Sequence, residues 1–314
     1  MRLKTRLLHL AVLALSCSAS LLAYADTMCQ IRDAVTVQQT VWTLCGRNAL
    51  YFTSDVGKTW QSVSLPPETL YRGLVFLDAR RAFIVGDAGT LLASEDGGKT
   101  WAPRKIPATD NLTDITFVGE SGWIVGHSGL VLHTSDGGKT WARQETKLPQ
   151  GLAAVYFIDA QNGWAVGWVG VVLRTRDGGK TWERREVADA TWSLTSVHFR
   201  DPKNGWILGM FGQMLRTKDG GETWELQPLP TKNQLTALFF DAAGRGYATV
   251  DNDVLTSQDK GEKWDAAGIQ QWLFLRRMVQ VGNTVWAIGT FQILQFDSAK
   301  KAWAILPNVP SSQT

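Results

Sequence analysis

The hexapeptide DGGKTW occupies residues 96–101, 136–141 and 177–182, and a near copy, DGGETW, occupies residues 219–224. The tryptophan that closes it recurs along the chain at steps of 41, 40, 41, 42, 40 and 39 residues. These tryptophans are Trp60, Trp101, Trp141, Trp182, Trp224, Trp264 and, in a degenerate last copy of the repeat, Trp303. Self-similarity at a period of about 40 residues predicts a repeat architecture, here with seven units.

Each repeat also contains short apolar runs separated by turn residues. Asn-Gly pairs at 162–163 and 204–205 predict tight turns within hairpins, because both residue types tolerate positive φ. We therefore predict four antiparallel strands per repeat. In the third repeat these are LTDITFV (112–118), GWIVG (122–126), LVLHT (130–134) and WARQE (141–145).

A single sheet of this size buries too little apolar surface to be stable alone. Seven sheets arranged radially bury both faces against their neighbours. The sequence therefore predicts an all-β fold, a seven-bladed β-propeller that forms a single domain over residues 26–314. Each blade has four antiparallel strands, and the hexapeptide joins the third strand to the fourth.

The Gly-Lys-Thr triplet of the hexapeptide does not fit a nucleotide phosphate loop. Such a loop has a further glycine five residues before the second one and leads into a helix. Ala93, His133 and Arg174 stand at that position, and strand-like segments follow the triplets. The sequence thus predicts no nucleotide site.

A structural role explains the hexapeptide better. The carboxylate can accept backbone N–H bonds inside the turn, glycine permits the tight backbone, and the tryptophan can fill the space between blades. The aspartates with this predicted role are Asp55, Asp96, Asp136, Asp177, Asp219 and Asp259, together with the six tryptophans from Trp60 to Trp264.

The first 25 residues have the features of a secretory signal, with a basic start, an apolar stretch and a small-x-small site at Ala23 to Ala25. A lipoprotein signal ending at Cys17 is the alternative. Removal of residues 1–25 takes the formal charge from +3 to 0, so the basic balance gives no support for a nucleic-acid partner. The two remaining cysteines, Cys29 and Cys45, are expected to form a disulfide in an exported protein.

In a four-stranded antiparallel blade, the 2–3 and 4–1 connections share one face. We call it the 2–3-loop face, and its loops vary more in sequence than the hexapeptide turns. Aromatic and Met side chains at these loops, with arginines near them, favour a protein-docking surface, although they could instead plug the central channel. The candidates are Trp168, Met210, Phe211, Trp192, Trp272, Phe291, Arg276 and Arg277.

Catalytic patterns are weak in this sequence. His127, His133 and His198 lie in different repeats or strands without metal-ligand spacing. No pair of carboxylates stands out as a glycosidase pair. We predict a protein that is not an enzyme and binds no metal or other cofactor.

The repeat Asp-x-Gly-x-Thr-Trp resembles the Asp-box, or bacterial neuraminidase repeat. Sialidases that carry it also have an Arg-Ile-Pro motif before the first box. The nearest string here, RKIP at 104–107, follows the second box. The resemblance to these enzymes therefore stops at the repeat.

Over nearly the whole length after residue 25, the repeat is similar to that of the photosystem II stability/assembly factor family. The resemblance implies an exported, non-enzymatic seven-bladed propeller that binds a newly made membrane subunit. Members of the family carry arginines beside the third strand. Arg174 and Arg216 fit such positions and are therefore further candidates for partner binding, whereas Ala93 and His133 depart from them.

These observations lead to an expected function. The chain is predicted to be a monomeric scaffold in the periplasm, or in the thylakoid lumen of a phototroph, that binds a membrane protein or its exported segment and aids its assembly. The alternative is a glycan-binding or glycoside-hydrolysing propeller, since aromatic platforms also stack on sugars.

Overall fold

Seven four-stranded antiparallel sheets make up the part of the chain that the structure describes. This computed structural model describes residues 29–45, 49–66, 69–187, 190, 192–269, 273–297 and 300–309. Each sheet consists of four consecutive strands, and the seven-bladed propeller predicted from the repeat is confirmed. The predicted signal segment, 1–25, lies outside the described residues.

The blades are numbered along the chain, and their strands run from the channel outward. Blade 1 contains β1 (Ile31–Val37), β2 (Thr40–Cys45), β3 (Ala49–Thr53) and β4 (Gln61–Ser64). Blade 2 contains β5 (Tyr71–Phe76), β6 (Ala82–Gly86), β7 (Leu91–Ser94) and β8 (Ala102–Pro103). Blade 3 contains β9 (Leu112–Val118), β10 (Ser121–Gly126), β11 (Val131–Thr134) and β12 (Ala142–Gln144), which confirms the four strands predicted for this repeat.

The remaining blades repeat the pattern. Blade 4 contains β13 (Leu152–Phe157), β14 (Gly163–Gly167), a short 3-10 turn (Trp168–Gly170), β15 (Val172–Thr175) and β16 (Glu183–Arg184). Blade 5 contains β17 (Leu194–Phe199), β18 (Gly205–Gly209), β19 (Met214–Thr217) and β20 (Glu225–Leu226). Blade 6 contains β21 (Leu235–Phe240), β22 (Gly246–Val250), β23 (Asp253–Ser257) and β24 (Asp265–Ala266). Blade 7 contains β25 (Leu275–Val281), β26 (Thr284–Gly289), β27 (Ile293–Asp297) and β28 (Ala302–Ile305).

The innermost strands form a closed ring. Each contacts the innermost strand of the next blade, and β25 contacts β1. Threonine hydroxyls that donate to a carbonyl of the next blade reinforce the ring at 2.7 Å: Thr113 to Leu152, Thr195 to Leu235, and Thr236 to Leu275. These part-buried bonds give a hydrogen-bond partner to carbonyl groups at the boundary between two sheets, where no strand pairing joins the blades.

Aromatic stacking between blades forms the core. The second-strand tryptophan of one blade stacks on a first-strand phenylalanine of the next, as Trp123 does on Phe157 with ring centroids 3.5 Å apart. The hexapeptide tryptophan then meets the same phenylalanine edge-on, as Trp182 does at 5.9 Å. Such pairs stabilise beyond their buried area by about 0.5–1.5 kcal/mol each.

The Asn-Gly pairs lie in hairpins, but they do not form the turn in the predicted way. Neither residue of either pair has a positive φ. Asp159 makes the turn instead, because its carboxylate accepts the backbone N–H of Asn162 at 2.7 Å and the side-chain amide of the same residue at 2.9 Å. Gly163 is required for space, since a Cβ there would lie 2.5 Å from the Phe157 ring.

The hexapeptide forms a hydrogen-bonded staple. In blade 5, Thr217 Oγ1 donates to Asp219 at 2.7 Å and accepts the N–H of Gly221 at 2.8 Å. The other carboxylate oxygen of Asp219 accepts the hydroxyl of Thr223. The same bonds recur in the boxes of Asp55, Asp96, Asp136 and Asp177. In the box of Asp259, Lys263 replaces the threonine, so the backbone N–H bond is kept and the hydroxyl bond is absent.

These bonds are strong enough to perturb the carboxylates. The hydroxyl of Thr100 is the largest cause that lowers the pKa of Asp96 to about 2, and the hydroxyl of Thr59 does the same for Asp55. Strands, not helices, follow the Gly-Lys-Thr triplets. The triplet therefore does not form a phosphate loop, as predicted. It lies in a turn whose hydrogen-bond donors are already used within the hairpin.

Blades 1 and 7 close the ring without sharing a strand. The N–H of Ile31 donates to the carbonyl of Thr290 at 3.0 Å, and Trp60 Nε1 donates to the carbonyl of Asn308 at 3.1 Å.

Within blade 1, Cys29 and Cys45 are joined as a disulfide, with Cα atoms 5.4 Å apart. No helix in the described ranges is both long and apolar enough to span a membrane.

Candidate partner-binding face

Four of the 2–3 loops have the same tip, Gly-x-x-Gly, in blades 2 to 5. The third residue of each tip has φ between +53° and +56°, and these residues are Ala88, Ser128, Val169 and Phe211. A left-handed conformation is unusual for a bulky residue and a genuine outlier for a β-branched one such as Val169. Strain of this kind persists only where the surroundings fix it, so the tips are held rather than free.

Backbone bonds to the connections that precede and follow each blade hold these tips. In blade 4, the N–H of Trp168 donates to the carbonyl of Gly151 at 3.0 Å, and the N–H of Gly170 donates to the carbonyl of Trp192 at 3.0 Å. In blade 5, the N–H of Met210 donates to the carbonyl of Ser193 at 3.1 Å. Large side chains are therefore presented from a fixed backbone.

Large apolar side chains are exposed on two adjacent tips and on the connection between blades 4 and 5. We call Trp168, Val169, Trp192 and Phe211 the aromatic patch; they are exposed by 42%, 68%, 53% and 54%, respectively. Trp192 packs edge-on against Phe211 at 4.7 Å, and Trp168 packs edge-on against His127 at 4.7 Å. Several large apolar groups exposed together on one face are typical of a binding surface.

The other residues predicted for this face are dispersed. Met210 and Phe291 are half-buried. Arg276 donates to the hydroxyl of Thr290 at 2.9 Å, and burial lowers the pKa of its guanidinium. Trp272 lies outside the described residues. Sequence reasoning missed Val169 and Phe274, both exposed; Val169 stands in the GWVG tip beside Trp168, and its position there was the available signal.

Arg277 belongs to the central channel rather than to the loops. It forms an ion pair with Asp33 of blade 1, and its guanidinium lies 3.8 Å from Asp114 of blade 3. The negative charge of Asp33 is the largest cause that raises the pKa of Arg277. Burial raises the pKa of Asp114 to about 6, although Arg277 opposes the shift.

Both channel carboxylates also hold neighbouring blades together. Asp33 accepts the N–H of Leu74 in blade 2 at 2.8 Å, and Asp114 accepts the N–H of Val155 in blade 4 at 3.0 Å. Carboxylates tied to backbone and guanidinium in this way serve the assembly of the ring.

Arg174 and Arg216 lie at the opposite end of the blades from the aromatic patch. Each is on a third strand, three residues before the aspartate of the box, and its side chain is 9% exposed. Arg174 bonds to Glu222 at 2.5 Å, and Arg216 bonds to Glu262 through two contacts of 2.6 Å. The structure therefore places these two arginines in ion pairs between adjacent blades.

The three histidines within the described ranges are dispersed as well. His133 lies 5.2 Å from the Trp123 ring, and His198 lies 5.3 Å from the Tyr156 ring. Burial lowers the pKa of His198 to about 4, so it is neutral at physiological pH. Among the described residues no group of three or more His, Cys, Asp or Glu side chains could hold a metal ion.

Fold, staples and loop face together define an Asp-box propeller of seven blades. The family model described as Photosynthesis system II assembly factor YCF48 matches residues 56–156 and 144–271. These matches cover more than half of the chain, and the chain belongs to this family.

Curated relatives share shorter segments. The photosystem II stability/assembly factor HCF136 of Arabidopsis thaliana is 36% identical over 77 residues, which is 20% of this chain and 18% of that protein. The photosystem II assembly lipoprotein Ycf48 of a Picosynechococcus species is 36% identical over 64 residues, 20% of this chain and 19% of that protein. The matched segments thus span about a fifth of these relatives.

Solved structures share the fold over most of the chain. A structure of YCF48 bound to a D1 peptide has a TM-score of 0.71 at 19% identity, covering 86% of this chain and 91% of that one. An ancestral GH74 enzyme has a TM-score of 0.72 at 12% identity, covering 89% of this chain and 46% of that one. At these identities the likeness concerns the fold alone, which assembly factors and glycoside hydrolases share.

Proposed function

We propose that this protein is an exported binding scaffold, not an enzyme, whose aromatic patch holds a segment of a membrane protein during assembly. Its site of action is the periplasm, or the thylakoid lumen of a phototroph. The observation that carries the proposal is the aromatic patch itself, fixed on two strained loop tips of one propeller face.

The chemistry of the patch suits a protein segment. Tryptophan and phenylalanine are the side chains that most often dominate binding energy at protein interfaces, and they do so best from a preorganised backbone. Trp168 and Phe211 come from neighbouring blades, so an extended segment could contact both. Phe274 adds an exposed ring on the same face, at the connection from blade 6 to blade 7.

The comparisons support a membrane-protein partner. The family is described as an assembly factor for photosystem II, and one solved YCF48 structure holds a peptide of D1. The carboxylates that line the channel are engaged in holding blades together, which favours binding over hydrolysis.

Replacement of both anchors tests the proposal. The Trp168→Ala, Phe211→Ala double variant should bind its partner segment at least about 50-fold more weakly, because two exposed anchors of an interface each contribute about 2 kcal/mol. Crosslinking and pull-down from the native membrane fraction would identify the partner. Titration of peptides from its exported segments would then give the affinity.

Leu226→Ala is the matched control, since Leu226 is an equally exposed apolar residue on the outer strand of blade 5. It should leave both capture and affinity unchanged. Recovery of no membrane protein by the wild type, or equal recovery by the double variant, would refute the proposal. Saturable binding of a glycan that the double variant loses would favour the glycan-binding alternative instead.

A further inference from the structure

The seven repeats allow one position to be compared around the ring. In blades 4 and 5 the residue before the box is Arg174 or Arg216, whose guanidinium lies over the second-strand tryptophan at 5.5 Å or 5.4 Å. Each pairs with a glutamate of the next box, Glu222 or Glu262. An arginine thus fills the groove between two blades, and its charge is compensated by the following blade.

The groove between blades 3 and 4 is filled differently. There His133 takes the place of the arginine beside Trp123, and Lys180 takes the place of the glutamate. Burial lowers the pKa of His133, and the nearby positive charge of Lys180 lowers it further. The neutral ring of His133 thus fills the arginine position without adding a second positive charge beside Lys180.

Between blades 2 and 3 no arginine or histidine stands at this third-strand position, and Arg81 of blade 2 instead pairs across the groove with Glu120 of blade 3. Ala93 stands at the arginine position, and Lys139 stands at the position of Glu222. A cavity of about 540 Å³ lies there, with Phe83 and Ala93 at its inner end and Arg80, Arg104 and Lys139 around it. Ligand pockets commonly have volumes of about 300–1,000 Å³.

The charge around this cavity is positive. Its two acidic residues are engaged: Asp78 accepts the N–H groups of Arg80 and Arg81, and Glu95 pairs with Arg104. These backbone bonds from Arg81 and Arg80 lower the pKa of Asp78 to about 2. Lys139 has no ion pair within 4.0 Å among the described residues, although its charge contributes to lowering the pKa of Glu120. The lining holds four basic and two acidic residues, and this excess of positive charge favours an anionic ligand.

We propose that this cavity is a binding site for a small carboxylate with a planar apolar body. The carboxylate would pair with Lys139 and Arg80, and the apolar body would lie against Ala93 and the edge of Phe83. The box of blade 3 supplies a lysine where blades 5 and 6 supply a glutamate, so the occupant must carry the opposite charge to the arginines of blades 4 and 5. This site is separate from the aromatic patch, at the other end of the blades.

Phenylacetate is a suitable probe, and phenylacetamide is its uncharged isostere. Calorimetric titration of the wild-type protein should give one saturable site for phenylacetate with a dissociation constant in the millimolar range or below, and at least about tenfold weaker binding of phenylacetamide. Lys139→Glu should weaken phenylacetate binding at least about tenfold. Lys180→Glu changes the same box position in the neighbouring groove and should leave it unchanged.

A rebuilt ion pair gives the sharper test. The double variant Ala93→Arg, Lys139→Glu restores in this groove the arrangement of Arg174 and Glu222, so it should keep the wild-type melting temperature and lose phenylacetate binding. The proposal is overturned if wild-type protein shows no saturation up to about 10 mM phenylacetate, or binds phenylacetamide equally well. It is equally overturned if the folded double variant retains the wild-type affinity.

Discussion

Trp286→Ala is expected to lower the free energy of unfolding by about 4 kcal/mol, in the middle of the range for aromatic residues deleted from cores. Trp286 lies on β26 of blade 7 and is fully buried. It packs in one cluster with Ile31 of blade 1 and with Leu306. Its ring also approaches the box of blade 1, since a Cβ at Gly57 would lie 3.1 Å from it.

This position is sensitive because the seam between blades 7 and 1 contains no shared strand. The ring is closed by a few hydrogen bonds and by packing, so a cavity at Trp286 removes part of the closure itself. Urea unfolding followed by circular dichroism measures the effect. Trp192→Ala, at an exposed tryptophan, is the control and should lower the free energy of unfolding by less than about 1 kcal/mol. Equal losses of stability for both variants would contradict the view that packing at Trp286 closes the ring.

Gly221→Ala should destabilise the protein by about 3 kcal/mol. Gly221 has φ of +80°, and a Cβ there would lie 2.5 Å from Nε1 of Trp164, which is itself buried between blades 4 and 5. The left-handed backbone costs alanine about 1 kcal/mol, and the overlap with a packed ring costs a further 1–3 kcal/mol.

Gly268→Ala separates the two contributions. Gly268 has nearly the same φ, +78°, but a Cβ there meets nothing within 4 Å. This variant should lose only about 1 kcal/mol, through its backbone conformation. Thermal or urea unfolding of both variants gives the comparison, and similar losses would show that the approach to Trp164 is unimportant.

The contact at Gly221 explains the second glycine of the hexapeptide. A Cβ at the equivalent glycine would lie 2.9 Å from Trp42 at Gly98, 2.4 Å from Phe83 at Gly138 and 2.5 Å from Trp206 at Gly261. These boxes therefore receive the second-strand aromatic of the preceding blade, whereas a Cβ at Gly179 would meet the side chain of Gln144 at 2.1 Å. The glycine that makes the hexapeptide resemble a phosphate loop thus provides space for a side chain of the neighbouring blade.

The repeat and its strands were predictable because they rest on local interactions. The staple bonds join residues two to four positions apart, and the strands of the third repeat alternate with recognisable turns. A period of about 40 residues that recurs along the whole chain then leaves few architectures besides a propeller.

Contacts between blades were not predictable in the same way. Arg174 and Arg216 were interpreted from the sequence as partner-binding residues. Glu222 and Glu262, with which they pair, are 48 and 46 residues away, and only the ring brings them together. The fully buried tryptophans of the second strands were likewise overlooked. They carry no motif of their own, whereas the hexapeptide tryptophans are conspicuous and less buried.

The aromatic patch was predicted in part. Trp168, Trp192 and Phe211 were identifiable because large apolar residues occupy loop tips where small polar residues would suffice. The contact of Trp192 with Phe211, and the strained backbone at Val169, accompany bonds between the tips and the connections on either side of a blade. Such bonds follow from the closed ring rather than from any local pattern.

The central claim is that the aromatic patch contacts the partner. Site-specific photocrosslinking tests it directly, with a benzophenone side chain introduced at Val169 and, in a second variant, at Leu226 on the outer strand of blade 5. With the purified partner complex, the account predicts a crosslink from position 169 into an exported segment of a membrane protein and none from position 226. A crosslink from position 226 alone, or none from 169 in an intact complex, would contradict it.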